Sequence, residues 1–271
     1  MLRIHETHAI PALALGLMLI LSAPPASAQH GARTTHVIPS SHLGDSRSVT
    51  VALPGTYAEQ TDSDYPVLYL LDGESNLDHA AAVTAFLAET GVMPEVIVVG
   101  VHAGATRGQD YLPPPSRNGV PGGRGDAFVD FVESELVPFI EAEYRAAPFR
   151  MISGHSLGGL LVTYLGFQRP GLFDVHLAQS PYLDEALGTP LVDEIEAETA
   201  PSDEAASTHY FATLGDEPEL EANFHRLAAV LAEGSHVVRG AMVQESGASH
   251  MGTRLVGLYD GLHGHFKPIW F

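Results

Sequence analysis

From residue 66 onward the chain alternates between short unbroken apolar runs and longer stretches whose apolar positions recur every three or four residues. The runs are residues 66–71 (PVLYLL), 96–101 (VIVVGV), 149–152, 175–178, 209–214 and 236–243. Apolar runs without polar alternation mark strands that are covered on both faces. Helical spacing occupies residues 79–89, 126–144, 157–167, 219–231 and 253–263. In the second of these Phe128, Phe131, Val132, Leu136, Phe139 and Ile140 share one stripe, and Pro138 predicts a kink. Two extended stretches, 34–38 and 48–53, come first and are joined by a Gly/Ser/Asp loop suited to a hairpin. Strand–helix–strand alternation predicts an α/β fold, with a mostly parallel central sheet and helices on both of its faces. Residues 112–125, rich in Pro and Gly, read as a surface loop. The acidic stretch 184–207, with two short helices at most, is where a small lid would sit.

The start of the chain follows another rule. Arg3, an apolar core over residues 12–21 and the Ala26-Ser27-Ala28 site together read as a secretory signal, with cleavage before Gln29. That apolar core is shorter than the ~20 residues needed to span a bilayer, and no later segment comes close, so no membrane insertion is expected after signal removal. The expected layout is a signal peptide over residues 1–28 and one domain over 29–271, exported to the periplasm or the medium. With no cysteine, the exported domain has to be held by its core, and a thiol nucleophile or Cys-ligated metal is excluded. Asp and Glu total 33 against 13 Lys and Arg, a formal net charge of −20. Such a surface repels phosphate backbones, so nucleic acid is not expected as a partner.

The chemistry concentrates at Gly154-His155-Ser156-Leu157-Gly158, a G-x-S-x-G sequence between a predicted strand and a predicted helix. At such an elbow the serine sits on a strained turn, and the following helix points its amides and positive dipole end at the site. A serine hydroxyl needs a base, usually a histidine oriented by a carboxylate, and in this fold class the chain order is Ser, acid, His. Seven histidines follow Ser156: His176, His209, His225, His236, His250, His263 and His265. Only His250 lies in a small-residue loop directly after the last strand, where it reaches the sheet's carboxyl end. The acid belongs on the loop after the preceding strand, which offers Asp216, Glu217 and Glu219, and spacing does not separate them. The backbone N–H of Leu157 and that of Glu74, in the loop after residues 66–71, are the expected oxyanion donors. Arg107 either contacts an anionic substrate group or pairs with a nearby carboxylate such as Asp110, and Tyr182 is a pocket wall or core residue. His155 is expected to pack within the elbow. The histidines show no metal-ligand spacing.

Taken together, residues 65–73 (YPVLYLLDG), 107–111 (RGQDY), 133–145 (ESELVPFIEAEYR), 154–159 (GHSLGG) and Ser180-Pro181 resemble the putative esterase family of the α/β-hydrolase superfamily. That family includes esterase D, feruloyl esterases, mycolyltransferase antigens and siderophore esterases. The similarity runs from about Ser48 to the C-terminus and is nearest the siderophore-esterase branch. The resemblance implies a Ser–acid–His hydrolase without metal or cofactor, and it points to Ser156, His250 and the amides of Glu74 and Leu157. Mycolyltransferase members carry a Glu four residues after the glycine that ends the strand, followed by Leu. Gly215 to Glu219-Leu220 has that spacing, which makes Glu219 the expected acid. The expectation is therefore an exported serine esterase acting on small or medium acyl esters, including siderophore or carbohydrate-linked ones. An acyltransferase using the same intermediate, and a siderophore- or glycan-binding module with a decayed site, are the alternatives.

Overall fold

The computed structural model describes residues 31–114, 122–198, 208–233, 238–244 and 247–266. The proposed signal peptide lies outside them. Eight strands form one sheet: β1 (Arg33–Ser40), β2 (Asp45–Ala52), β3 (Tyr65–Leu71), β4 (Ile97–Val101), β5 (Ala146–His155), β6 (Val175–Gln179), β7 (Thr208–Leu214) and β8 (Val238–Gln244). Their order is β1-β2-β4-β3-β5-β6-β7-β8. The β1–β2 hairpin and the β2–β4 pair are antiparallel, and every pairing from β4 to β8 is parallel. This is the α/β-hydrolase fold.

Alternation along the inner strands sorts the core into two layers, because successive side chains point to opposite faces. Val67, Tyr69 and Leu71 of β3 face a cluster built with Phe128, Leu160, Leu191 and Phe224. Those residues belong to α3 (Gly125–Phe131), α5 (Leu157–Gln168), α6 (Gly188–Glu198) and α7 (Pro218–Glu233). Leu68 and Leu70 face the other cluster, with Leu77, Val83, Leu258 and Leu262. That face is covered by α1 (Gly73–Glu89) and α8 (Thr253–Phe266). Adjacent strands β3 and β5 therefore send their following helices to opposite faces. The crevice opened at their carboxyl ends is where open α/β sheets bind ligands.

Three expectations change. First, α1 starts at Gly73, six residues before the expected helix, since its first turn is polar and small (Gly73-Glu74-Ser75-Asn76). Of that turn Gly73 and Asn76 are buried, Gly73 by close approach: a Cβ on it would fall 2.3 Å from the Gly100 carbonyl carbon of β4. Second, the predicted kink at Pro138 is a wide turn over Val132–Leu136, after which Pro138 sits in the opening turn of α4 (Val137–Glu143). The wider turn lies where the ring's missing N–H interrupts the ladder. Third, residues 188–198 form one helix, whose Leu191, Val192 and Ile195 are buried in the core. This part of the acidic stretch is thus a member of the helical layer rather than a lid; residues 199–207 lie outside the described ones.

Candidate active site

Among the described residues, non-glycine side chains with positive φ occur at three places: Asp72 (55°), Ser156 (59°) and Ser180 (38°). They follow the ends of β3, β5 and β6, three neighbouring points on the sheet's carboxyl edge. Backbone held in this region costs on the order of 1–3 kcal/mol per residue and persists where the surroundings enforce it. At Ser156 the enforcement is direct. Its N–H donates to the Gln179 carbonyl (3.0 Å), and its own carbonyl accepts from Tyr182 N (3.1 Å) and Leu160 N (2.9 Å). Gly154 is obligatory for the elbow, since a Cβ there would lie 2.5 Å from both the carbonyl carbon and oxygen of Gly158.

Leu157 and Glu74 occupy the first turns of α5 and α1, the elements that leave β5 and β3. First-turn amides have no partner within their own helix, so both are free to meet an oxyanion. The Glu74 carboxylate turns away from that role and accepts from the Ala103 amide (3.1 Å).

His250 stands beside the elbow. Its ring centroid is 4.4 Å from that of His155, the residue before Ser156. His155 does more than pack. Its Nε2 lies 2.7 Å from the His250 carbonyl, which can only accept, so Nε2 carries the proton. Burial, with further help from the nearby charges of His250 and Arg254, lowers the His155 pKa to about 4, so its ring is neutral at ordinary pH. Thr253 Oγ1 donates to the same carbonyl (2.7 Å).

The carboxylate that meets His250 is Glu217: Nδ1 of the ring is 2.5 Å from Glu217 Oε1. The second oxygen, Oε2, accepts from Ser180 Oγ (2.5 Å) and from Gly215 N (3.1 Å). Ser180 Oγ in turn lies 2.7 Å from Thr253 Oγ1, and both residues are fully buried. The expected Glu219 is exposed in the first turn of α7, as Asp216 is just before it. The reason is local. Pro218 fits the first helical position, where its missing N–H costs nothing, so α7 begins one residue earlier than its apolar spacing suggests. Glu217 then stays at the end of the loop with its side chain over the sheet edge, and Glu219 is carried outward on the helix.

Arg107, which opens α2 (Arg107–Asp110), pairs with a nearby carboxylate, as one of its two readings had it, and that carboxylate is Asp72 rather than Asp110. Its Nε and Nη2 grip Asp72 at 2.6 and 2.9 Å, and Nη2 approaches the His155 carbonyl at 3.5 Å. One guanidinium thereby ties the loop after β3 to the end of β5. Asp110, fully buried, is committed to Arg47 (2.5 Å) and Arg124 (2.5 Å). Tyr182 is half-buried against the core. Ser180 and Thr253 escaped the sequence reading as site residues, and Ser180-Pro181 figured there only as a motif. Among the described residues no three His, Asp or Glu side chains group as a metal-ligand set, and no helix is long and apolar enough to cross a membrane.

Comparison with known proteins bears on this geometry. The family model described as Putative esterase matches residues 40–243. The chain belongs to that family. Among characterised relatives, the ferri-bacillibactin esterase BesA of Bacillus subtilis is 34% identical over 137 residues, covering 43% of this chain and 47% of the relative. The chain spans about half the length of the curated relatives it matches, or less. Among solved structures, an IroE-like serine hydrolase from Shewanella oneidensis aligns with a TM-score of 0.71 at 28% identity, over 87% of this chain and 80% of that one. The siderophore hydrolase EstB from Aspergillus nidulans aligns with a TM-score of 0.74 at 21% identity, over 90% and 99%, a likeness of fold alone.

Proposed function

We propose that the protein is an exported serine carboxylic-ester hydrolase working through an acyl-enzyme. The observation that carries this reading is the pairing of His250 Nδ1 with a buried carboxylate while the imidazole lies against His155, the residue just before the strained Ser156. With Nδ1–H held by Glu217, the Nε2 lone pair is left to take the Ser156 proton as the hydroxyl attacks the ester carbonyl. Charge developing on the carbonyl oxygen falls to the amides of Leu157 and Glu74. His250 returns its proton to the leaving alcohol, and water, activated by the same imidazole, then resolves the acyl-enzyme. Glu217 replaces Glu219 in the acid's role, with Ser180 and Gly215 fixing its second oxygen. Siderophore-type esters are the substrate class best supported, because the ferri-bacillibactin esterase named above carries that activity in its own name.

An organophosphate such as diisopropyl fluorophosphate tests the nucleophile. The protein should gain one diisopropylphosphoryl group on the peptide bearing Ser156, and Ser156→Ala should gain none. Labelling of another residue, or none in the wild type, would refute the assignment. The proposed export is tested by sequencing the secreted protein's N-terminus, expected to be Gln29.

A further inference from the structure

Of the arginines whose side chains are described, nearly all are committed to carboxylates: Arg33, Arg47, Arg107, Arg124, Arg150, Arg169 and Arg226 each form ion pairs. In a chain of net charge −20 that is the expected fate of a cation. Arg145 is engaged otherwise, lying 4.0 Å over the Tyr57 ring and bonding the Gln60 carbonyl at 3.0 Å. Arg254 has neither arrangement. Among the described residues its one hydrogen bond runs from Nη1 to Asn76 Oδ1 (3.2 Å), and its Nε is shielded from water without a partner there.

The position of this guanidinium is informative. Arg254 lies on the first turn of α8, four residues after His250. Asn76, which holds it, also donates to the carbonyl of Leu71 at the end of β3. Its charge acts on His155 at the end of β5 and on His79 of α1, lowering the proton affinity of both. These neighbours place it on the sheet edge that bears Ser156 and the loop after β3. The carboxylates of that edge are occupied elsewhere: Asp72 by Arg107, Glu217 by His250 and Ser180, and Glu74 by the Ala103 amide. Arg107, for which contact with an anionic substrate group was one of two readings, is held by Asp72.

We infer that Arg254 is the specificity residue through which the site selects esters carrying a negative charge close to the scissile carbonyl. A guanidinium offers five N–H donors in a planar fork, and only one is bonded among the described residues. A substrate carboxylate or phenolate would supply the missing acceptor. It would also gain a local attraction against the repulsion of a strongly acidic surface. This inference rests on the esterase reading and names the charge class of its substrate.

The test compares two p-nitrophenyl esters with four-carbon acyl chains, the neutral butyrate and the hemisuccinate with its terminal carboxylate. In Arg254→Gln, kcat/KM for the hemisuccinate should fall about 10- to 100-fold, the scale of one hydrogen bond to a charged group. The butyrate should change less than threefold. Arg254→Lys, which keeps the charge, should recover part of the hemisuccinate loss, and 0.5 M NaCl should shrink the wild-type preference. Equal losses on both esters, or an unchanged hemisuccinate rate, would overturn the inference and leave the esterase reading intact. Calorimetric binding of phenyl hydrogen succinate to Ser156→Ala, weakened about tenfold or more in Ser156→Ala/Arg254→Gln, tests the charge contact without turnover. Equal affinity in the two would overturn it. Hydrolysis that survives in Ser156→Ala would refute instead the proposed reading in which Ser156 is the nucleophile.

Discussion

Exchanging Glu217 for Gln changes one atom pair at the centre of the proposed machinery and almost nothing in volume. In the native arrangement Oε1 faces His250 Nδ1 at 2.5 Å, while Oε2 is held by Ser180 and Gly215. The variant removes the charge that balances the imidazolium formed when Ser156 loses its proton. A hydrogen bond to a charged group contributes roughly 1.5–3 kcal/mol, so its loss alone slows turnover about 10- to 200-fold. A second effect enlarges this. If the Gln amide NH₂ turns toward the ring, Nδ1 must become the acceptor and Nε2 the protonated nitrogen, the wrong tautomer for a base. The corresponding exchange in a serine protease costs ~10⁴ in kcat. The expected fall in kcat for Glu217→Gln is therefore about 10²- to 10⁴-fold, with KM nearly unchanged. Glu219→Gln, altering an exposed carboxylate, should stay within about twofold. Initial rates on p-nitrophenyl acetate measure both, with thermal unfolding confirming that each variant is folded. A Glu217→Gln enzyme retaining half its activity, or a Glu219→Gln enzyme losing as much as its neighbour, would refute the reasoning.

Other consequences follow from the same geometry. Gly154→Ala forces a Cβ to within 2.5 Å of the Gly158 backbone; overpacking on the order of 1–3 kcal/mol should lower Tm by roughly 2–12 °C and abolish most activity, and a wild-type Tm and rate would contradict the elbow's tightness. Arg107→Lys cannot grip both Asp72 oxygens while reaching the His155 carbonyl, so kcat should fall at least about tenfold with little change in KM, whereas a rise in KM alone would indicate substrate contact. Stability should also decline in mild acid. His155 and His176 are buried with pKa values lowered to about 4 and about 3, against ~6.5 in an unfolded chain. The unfolded state therefore binds the extra protons, and stability is complete above pH ~6.5 and lost as pH falls toward 4, at up to about 1.4 kcal/mol per pH unit for each histidine. Urea midpoints between pH 7.5 and 4.5 measure this, and His176→Leu should flatten the decline; a midpoint independent of pH would contradict it.

What the sequence made legible was whatever depends on apolar run and spacing. The inner strands follow that pattern because they are covered on both faces, as Val67, Leu68, Tyr69, Leu70 and Leu71 show. The start of α1 broke it: Gly73 and Asn76 are buried by glycine-to-glycine contact with β4 and by hydrogen bonding, not by hydrophobicity. The elbow and the loop bearing His250 could be read from chain order. The carboxylate that pairs with His250 could not be chosen that way, because three carboxylates within four residues satisfy the same order. Pro218 was the usable signal, since it marks where the helix begins and which side chain stays behind. The supports of the site lay beyond reach of local pattern. Arg107 and Asp72 are 35 residues apart, Ser180 and Glu217 are 37 apart, and Ser180 and Thr253 are 73 apart.

The central claim is that Ser156 is the nucleophile of an ester hydrolase. Its most direct measurement is the initial rate on p-nitrophenyl esters from acetate to decanoate, for the wild type and for Ser156→Ala with matched thermal unfolding. The account predicts turnover by the wild type and a fall of at least about 10³-fold in kcat in the variant. A wild type inactive on every chain length, or activity that survives loss of the Ser156 hydroxyl, would contradict it.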